Sequence, residues 1–177
     1  FELPISREIV GICCEIQPYL ATLVPEKREE ITTEGGLDAI EHGMRLKETI
    51  TRLKGEGVSN VALFLDPDLD QIDEAARLGA TAIELHTGDY ANALRVEKRV
   101  HILDRMKKAA ERAHQNGLIV HAGHGLDTEN YPLFGSSVPH LKEVSIGFAI
   151  VARAIFIGIR GAVEELNNII ASSPYTG

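Results

Sequence analysis

Apolar runs of strand length, at 19–24, 61–66, 80–86, 118–121 and 144–146, alternate along this chain with helix-like stretches at 7–16, 40–55, 68–78, 98–116 and 152–172. A partial strand at 1–5 precedes them. Strand-length runs separated by helical patterns predict βα units joined into a parallel sheet. Short polar clusters that carry glycine sit just past apolar runs: TTEGGLD (32–38), IELHTG (83–88), HAGHGL (121–126) and SIGFAI (145–150). In a parallel sheet every such connection leaves from the same edge, so the clusters gather on one catalytic rim.

The helix ends are marked by Gly55-Glu56-Gly57, Gly79 and Asn116-Gly117, each just before the next strand, where a C-terminal glycine cap belongs. Along 68–78 a stripe of Leu69, Ile72, Ala75, Ala76 and Leu78 faces away from Asp70, Asp73, Glu74 and Arg77, which is the pattern of a helix packed on a sheet. No linker, low-complexity stretch or charge block interrupts the alternation, so residues 1–177 read as a single barrel-type domain. The 177 residues, 44% hydrophobic, suffice for one sizeable core.

The count of strands is awkward. Six strands with their helices make an open sheet or an incomplete (β/α)8 TIM barrel, and a closed barrel takes roughly 250 residues. The chain opens without Met, inside a strand. The expectation is an α/β TIM barrel with about the first two βα units missing. Such an arc would expose strand edges and interior side chains, and is expected to aggregate or be inactive alone.

Composition excludes several classes. A formal charge of −8 argues against a nucleic-acid partner, because backbone binding needs a basic surface, yet helix N-termini can still hold small phosphorylated substrates. No apolar run reaches the roughly 18 residues of a membrane span, and FELPISREIV lacks the layout of a signal peptide, so the reading is cytoplasmic, without membrane association. Cys13 and Cys14 are adjacent on a helix-like stretch and read as buried or half-buried thiols; no Cys/His spacing resembles a zinc site.

In 81–86, strand alternation places Ile83 and Leu85 on the helix-covered face and Ala82, Glu84 and His86 on the other, inside or at the mouth of a barrel. A carboxylate there is costly unless paired or used, which makes Glu84 a candidate acid/base and leaves a buried, merely satisfied Glu as the alternative. Glu2 follows the same logic with less context. His124, held between Gly123 and Gly125 after a strand, is the best general acid/base candidate, with His121 supporting it. Gly125 and Gly147, in the last two strand–helix loops, suit a phosphate cradle or are simply turn glycines. In 32–38, Thr32, Thr33 and the Gly35-Gly36 pair could bind substrate, with Asp38 as the N-cap of the following helix. Lys27 and Arg28, surrounded by Glu26, Glu29 and Glu30, read as a local salt-bridge cluster.

The segments LVPEKREEITTEGGLD (23–38), IELHTGDYA (83–91), VHAGHGL (120–126) and VSIGFAI (144–150) resemble, in order and over almost the whole chain, the pyridoxine 5′-phosphate synthase family. The resemblance implies a (β/α)8 barrel, oligomeric, that condenses 1-deoxy-D-xylulose 5-phosphate with 3-amino-2-oxopropyl phosphate in vitamin B6 biosynthesis, releasing water and phosphate without metal or organic cofactor. It implies Glu2 as proton acceptor, Glu84 as a stabilising carboxylate and His124 as proton donor. Thr32, Gly125 and Gly147 match substrate or product contacts. Phe148 stands where many members carry His, so a side-chain hydrogen bond from that position is lost. The family's first strands supply an Asn, an Asp-His pair, arginines and a further catalytic His that have no counterpart here. Other readings are a different phosphosugar barrel using the same two loops, or a non-catalytic fragment acting as an assembly module.

Overall fold

The computed structural model describes residues 1–25 and 35–175. The described strands form one parallel sheet in the sequential order β1 (Glu2–Pro4), β2 (Leu20–Val24), β3 (Asn60–Leu65), β4 (Ala82–His86), β5 (Ile119–Gly123) and β6 (Leu141–Ser145). Between them run α1 (Arg7–Ile16), α2 (Gly43–Gly55), α3 (Leu69–Leu78), α4 (Gly88–Ala91), α5 (Val96–Gln115) and α6 (Tyr131–Ser137), and α7 (Phe148–Ser172) follows β6. A sheet that adds each parallel strand beside its predecessor, with a helix in every connection, is the α/β architecture that the alternation predicts, and it is consistent with a TIM-type barrel.

Strand pairing sorts the side chains into two faces. Leu63 pairs with Ile83 and Ile83 with Val120, and these residues belong to a core that also takes Leu46 and Ile50 from α2, Ile72 and Ala75 from α3, and Met106 and Ala110 from α5. Burying each large aliphatic side chain there contributes about 1.5–3 kcal/mol, which is what holds the helices on the sheet. The opposite face carries Glu2 beside Thr22, Ala62 beside Ala82, and a cross-strand row of Phe64, Glu84, His121 and Glu143. That second face carries the titratable side chains Glu2, Glu84, His121 and Glu143 among small and aromatic ones, whereas the first is apolar.

Several boundaries differ from expectation. Helix α2 starts at Gly43 rather than at 40, because Asp38 caps a separate turn, accepting from the amides of Ile40 and Glu41 at 3.1 and 2.8 Å. Leu69 is 43% exposed, so the α3 stripe is carried by Ile72, Ala75 and Leu78, with Asp68 as N-cap. Strand β6 begins at Leu141, earlier than the apolar run, since its half-exposed edge tolerates Lys142 and Glu143. Helices α4 and α6 were not anticipated, and α7 starts at Phe148 and breaks at Gly158 (φ 76°, ψ 157°). The predicted terminators hold: Gly79 caps α3 in the left-handed region, φ 89°.

Cys13 is buried, Cys14 is half-buried, and both are free. No described helix is long and apolar enough to cross a membrane.

Candidate active site

Glu84 lies at the centre of β4 on the polar face and is 2% exposed. Its neighbour across the sheet is His121, and two residues further along β5 Gly123 pairs with Ser145 of β6. The carboxylate reaches over this pair: a Cβ added to Gly123 would run into Glu84 Oε1 and Ser145 Cβ. Glycine at 123 is therefore the space in which the Glu84 carboxylate sits. Burial is the largest influence on its acidity, followed by the negative charge of Glu2; a hydrogen bond from Ser145 opposes them and Glu143 adds to them, and the result is a pKa pushed up to about 7. Oε1 has no hydrogen-bond partner among the described residues.

His124 comes next in the chain after that glycine. It has a left-handed backbone, φ 70°, uncommon for a residue with a side chain, and its Nδ1 stands 3.8 Å from Glu84 Oε1. Its ring packs 4.3 Å from that of Phe64 and 5.9 Å from that of His86. His86 Nδ1 in turn lies 2.9 Å from Asp66 Oδ1, a bond that holds the Asp66 carboxyl below its ordinary range. His121, nearly buried, has its pKa lowered by desolvation, with Glu143 acting in the opposite sense.

Beyond His124 the chain turns at Gly125, φ 95°, where a Cβ would also clash with that of Ala91 in α4. Both backbone angle and space demand glycine here. Asn130 braces the turn: its Nδ2 donates to the Gly125 carbonyl at 3.0 Å, its Oδ1 accepts from the Asp127 amide at 2.9 Å, and its own carbonyl accepts from the Tyr90 hydroxyl at 2.7 Å.

A cavity of about 570 Å³ opens between this loop and the start of α7, and Glu2, His124, Gly125, Ser145, Gly147 and Phe148 line it. Gly147 is the N-cap residue of α7, and nothing lies within 4 Å of the place a Cβ would take. A helix N-terminus with free space in front of it suits an anion. Phe148, the first helical residue, is 91% exposed. Glu84 lies one layer beneath the cavity wall, behind His124. Thus Glu2, Glu84, His124, Gly125, Gly147 and Phe148 are brought together, whereas Thr32, like Lys27 and Arg28, lies outside the described residues.

Residues that sequence reasoning missed are Ser145, Glu143 and Thr87. Ser145 and Glu143 lie two residues apart on one face of β6, and a strand expected only from 144 left Glu143 outside it. Among the described residues no cluster of three or more His, Cys, Asp or Glu could hold a metal ion.

The model of the family described as pyridoxal phosphate biosynthesis protein PdxJ matches residues 1–172. Curated relatives named pyridoxine 5′-phosphate synthase include those of Salinibacter ruber, 50% identical over 173 residues (98% of this chain, 71% of the relative), and Akkermansia muciniphila, 46% identical over 169 residues (96% and 68%). That of Magnetococcus marinus is 43% identical over 175 residues (99% and 71%). Among solved structures, a xylose isomerase domain protein from Planctomyces limnophilus matches with TM-score 0.55 at 11% identity (99% of this chain, 70% of that one). The Amycolatopsis orientalis BexX/CysO complex matches with TM-score 0.54 at 15% identity (94% and 63%). These two likenesses speak to the fold alone.

Proposed function

This chain belongs to the pyridoxal phosphate biosynthesis protein PdxJ family, and from that premise we propose that its site closes the pyridine ring of pyridoxine 5′-phosphate, condensing 1-deoxy-D-xylulose 5-phosphate with 3-amino-2-oxopropyl phosphate. The observation that carries the reading is the convergence of Glu2, His124 and the Gly125 and Gly147 loops on one cavity, with the Glu84 carboxyl directly behind His124. Carbonyl–amine condensation, dehydration and phosphate loss each move protons between carbon, nitrogen and oxygen. Glu2, exposed on the wall, is the proton acceptor. His124, at the rim, is the proton donor to the leaving oxygens. Glu84, with a pKa of about 7, exchanges a proton with little driving force in either direction and steadies positive charge that develops in front of it. The amides at the start of α7 and the Gly125 turn hold phosphate, and Phe148 contributes its backbone only.

The six-stranded sheet is, in this reading, part of a (β/α)8 barrel. An assembly of several copies in the cytoplasm goes with the same reading, supported by the apolar side chains Val151, Ile155, Phe156 and Ile159 that α7 leaves exposed. The test is formation of pyridoxine 5′-phosphate and inorganic phosphate from the two precursors, by this chain alone and by this chain joined to the part of the Salinibacter ruber relative that lies outside the match. Product that disappears on His124→Asn supports the reading. A soluble, folded protein in both forms that makes no product overturns it.

A further inference from the structure

Thr87 is the N-cap residue of α4, where a threonine ordinarily turns its hydroxyl to a free amide of the helix's first turn. Here it makes no such bond. Its hydroxyl points across to the end of β5 instead, 2.7 Å from the Gly123 carbonyl and 2.7 Å from the His124 carbonyl, sharing one proton between two acceptors. Its amide donates to the same Gly123 carbonyl at 2.9 Å. The residue is completely buried and stands immediately after β4, the strand that carries Glu84.

We propose that Thr87 is a positioning residue for the reaction, fixing the peptide on either side of His124 so that the imidazole stays over Phe64 and next to the Glu84 carboxylate. This rests on the reading of His124 as proton donor. The left-handed backbone at His124 is a conformation that a side-chain-bearing residue leaves readily, so something must hold it. Rotation of ψ at His124 would swing its carbonyl, and that carbonyl is what the Thr87 hydroxyl holds. The two elements thus tied together carry the two groups whose separation decides proton transfer, and misplacement by about 1 Å can cost on the order of a hundredfold in rate.

Thr87→Val is nearly isosteric and keeps the amide bond to Gly123, so it removes the hydroxyl alone. We expect kcat to fall about tenfold or more with KM for either substrate changed less than about threefold, and Thr87→Ser to recover most of the loss. Independently, the His124 ring proton resonances, assigned by their loss in His124→Asn, report the ring current of Phe64 and should move in Thr87→Val and return in Thr87→Ser. If kcat of Thr87→Val stays within about twofold of the parent, or if the ring resonances are unchanged, the positioning role is wrong. Equal damage from Val and Ser would likewise overturn it, as a packing effect. Should Thr87→Val fail to fold, Thr87→Cys, a small side chain and weak donor, is read by the same outcomes. A parent protein without turnover counts against the synthase reading, while the resonances still decide the role of Thr87.

Discussion

His124 and Glu84 face each other with Nδ1 and Oε1 3.8 Å apart, the first at the rim of the cavity and the second sealed beneath it. The separation is slightly beyond a hydrogen bond, so a small movement of either group makes or breaks a direct proton path. Because Glu84 is buried near the negative Glu2, its pKa is pushed up to about 7, so the carboxyl next to the His124 ring can carry a proton at neutral pH. In the function proposed above, a titratable ring at the rim with a protonatable carboxyl behind it suits repeated protonation steps.

The raised pKa of Glu84 has a consequence for stability. The native carboxyl releases its proton near pH 7 and the unfolded one near 4.5, so between these values the native state binds more protons and stability falls as pH rises. The penalty is absent below the lower value and complete above the upper one, with a ceiling of about 3 kcal/mol at roughly 1.4 kcal/mol per unit. Glu84→Gln should therefore be more stable than the parent at pH 8 and similar to it at pH 4.5. Urea unfolding at both pH values measures this, and identical pH slopes for the two proteins would contradict it.

For His124 the informative substitution is Asn, which tolerates the left-handed backbone better than most residues. His124→Asn should melt within a few degrees of the parent while losing about 10²–10⁴-fold in turnover, the range for a general acid. Near-normal turnover would make His124 a bystander.

Most of the sheet was legible because β3 and β4 are buried on both faces and read as continuous apolar runs. Glu84 stood out as a carboxylate inside such a run. The edge of the sheet was harder: β6 has Lys142 and Glu143 in positions that face solvent, and alternation is lost there. Helix α6, Tyr131–Ser137, contains Pro132, Gly135 and two serines and therefore looks like a loop; the proline is harmless because it lies in the first turn, where its missing N–H has no partner to lose. Thr87 was invisible for another reason. Its partners are carbonyls about 36 residues away, and backbone acceptors leave no trace in a residue pattern.

Two glycines of the cavity predict opposite outcomes. Gly125 has φ 95° and a Cβ there meets Ala91, so Gly125→Ala should destabilise the protein by about 1–3 kcal/mol. Gly147 has an ordinary backbone angle, φ −116°, and open space around it, so Gly147→Ala should leave the melting temperature unchanged and raise KM for the phosphorylated substrates several-fold by occupying the anion's place. Thermal melts and steady-state kinetics on both variants separate the two effects. An unchanged KM in Gly147→Ala would remove Gly147 from the phosphate site.

The last prediction concerns Gly123, whose missing side chain is the seat of the Glu84 carboxylate. Backbone strain is not the issue, since Gly123 is a regular strand residue paired with His86 and Ser145; the obstacle to alanine is the carboxylate itself. Gly123→Ala must push Glu84 aside, either towards His124 or off the Ser145 hydroxyl, and should cost both stability and turnover. Removing the carboxylate should relieve the clash. In a double-mutant cycle with Glu84→Ala, the second substitution should therefore cost less stability in the Gly123→Ala background than in the parent, with a coupling of about 1–2 kcal/mol. Additive losses would mean that Gly123 and Glu84 do not compete for the same space, and that the carboxylate lies elsewhere in solution.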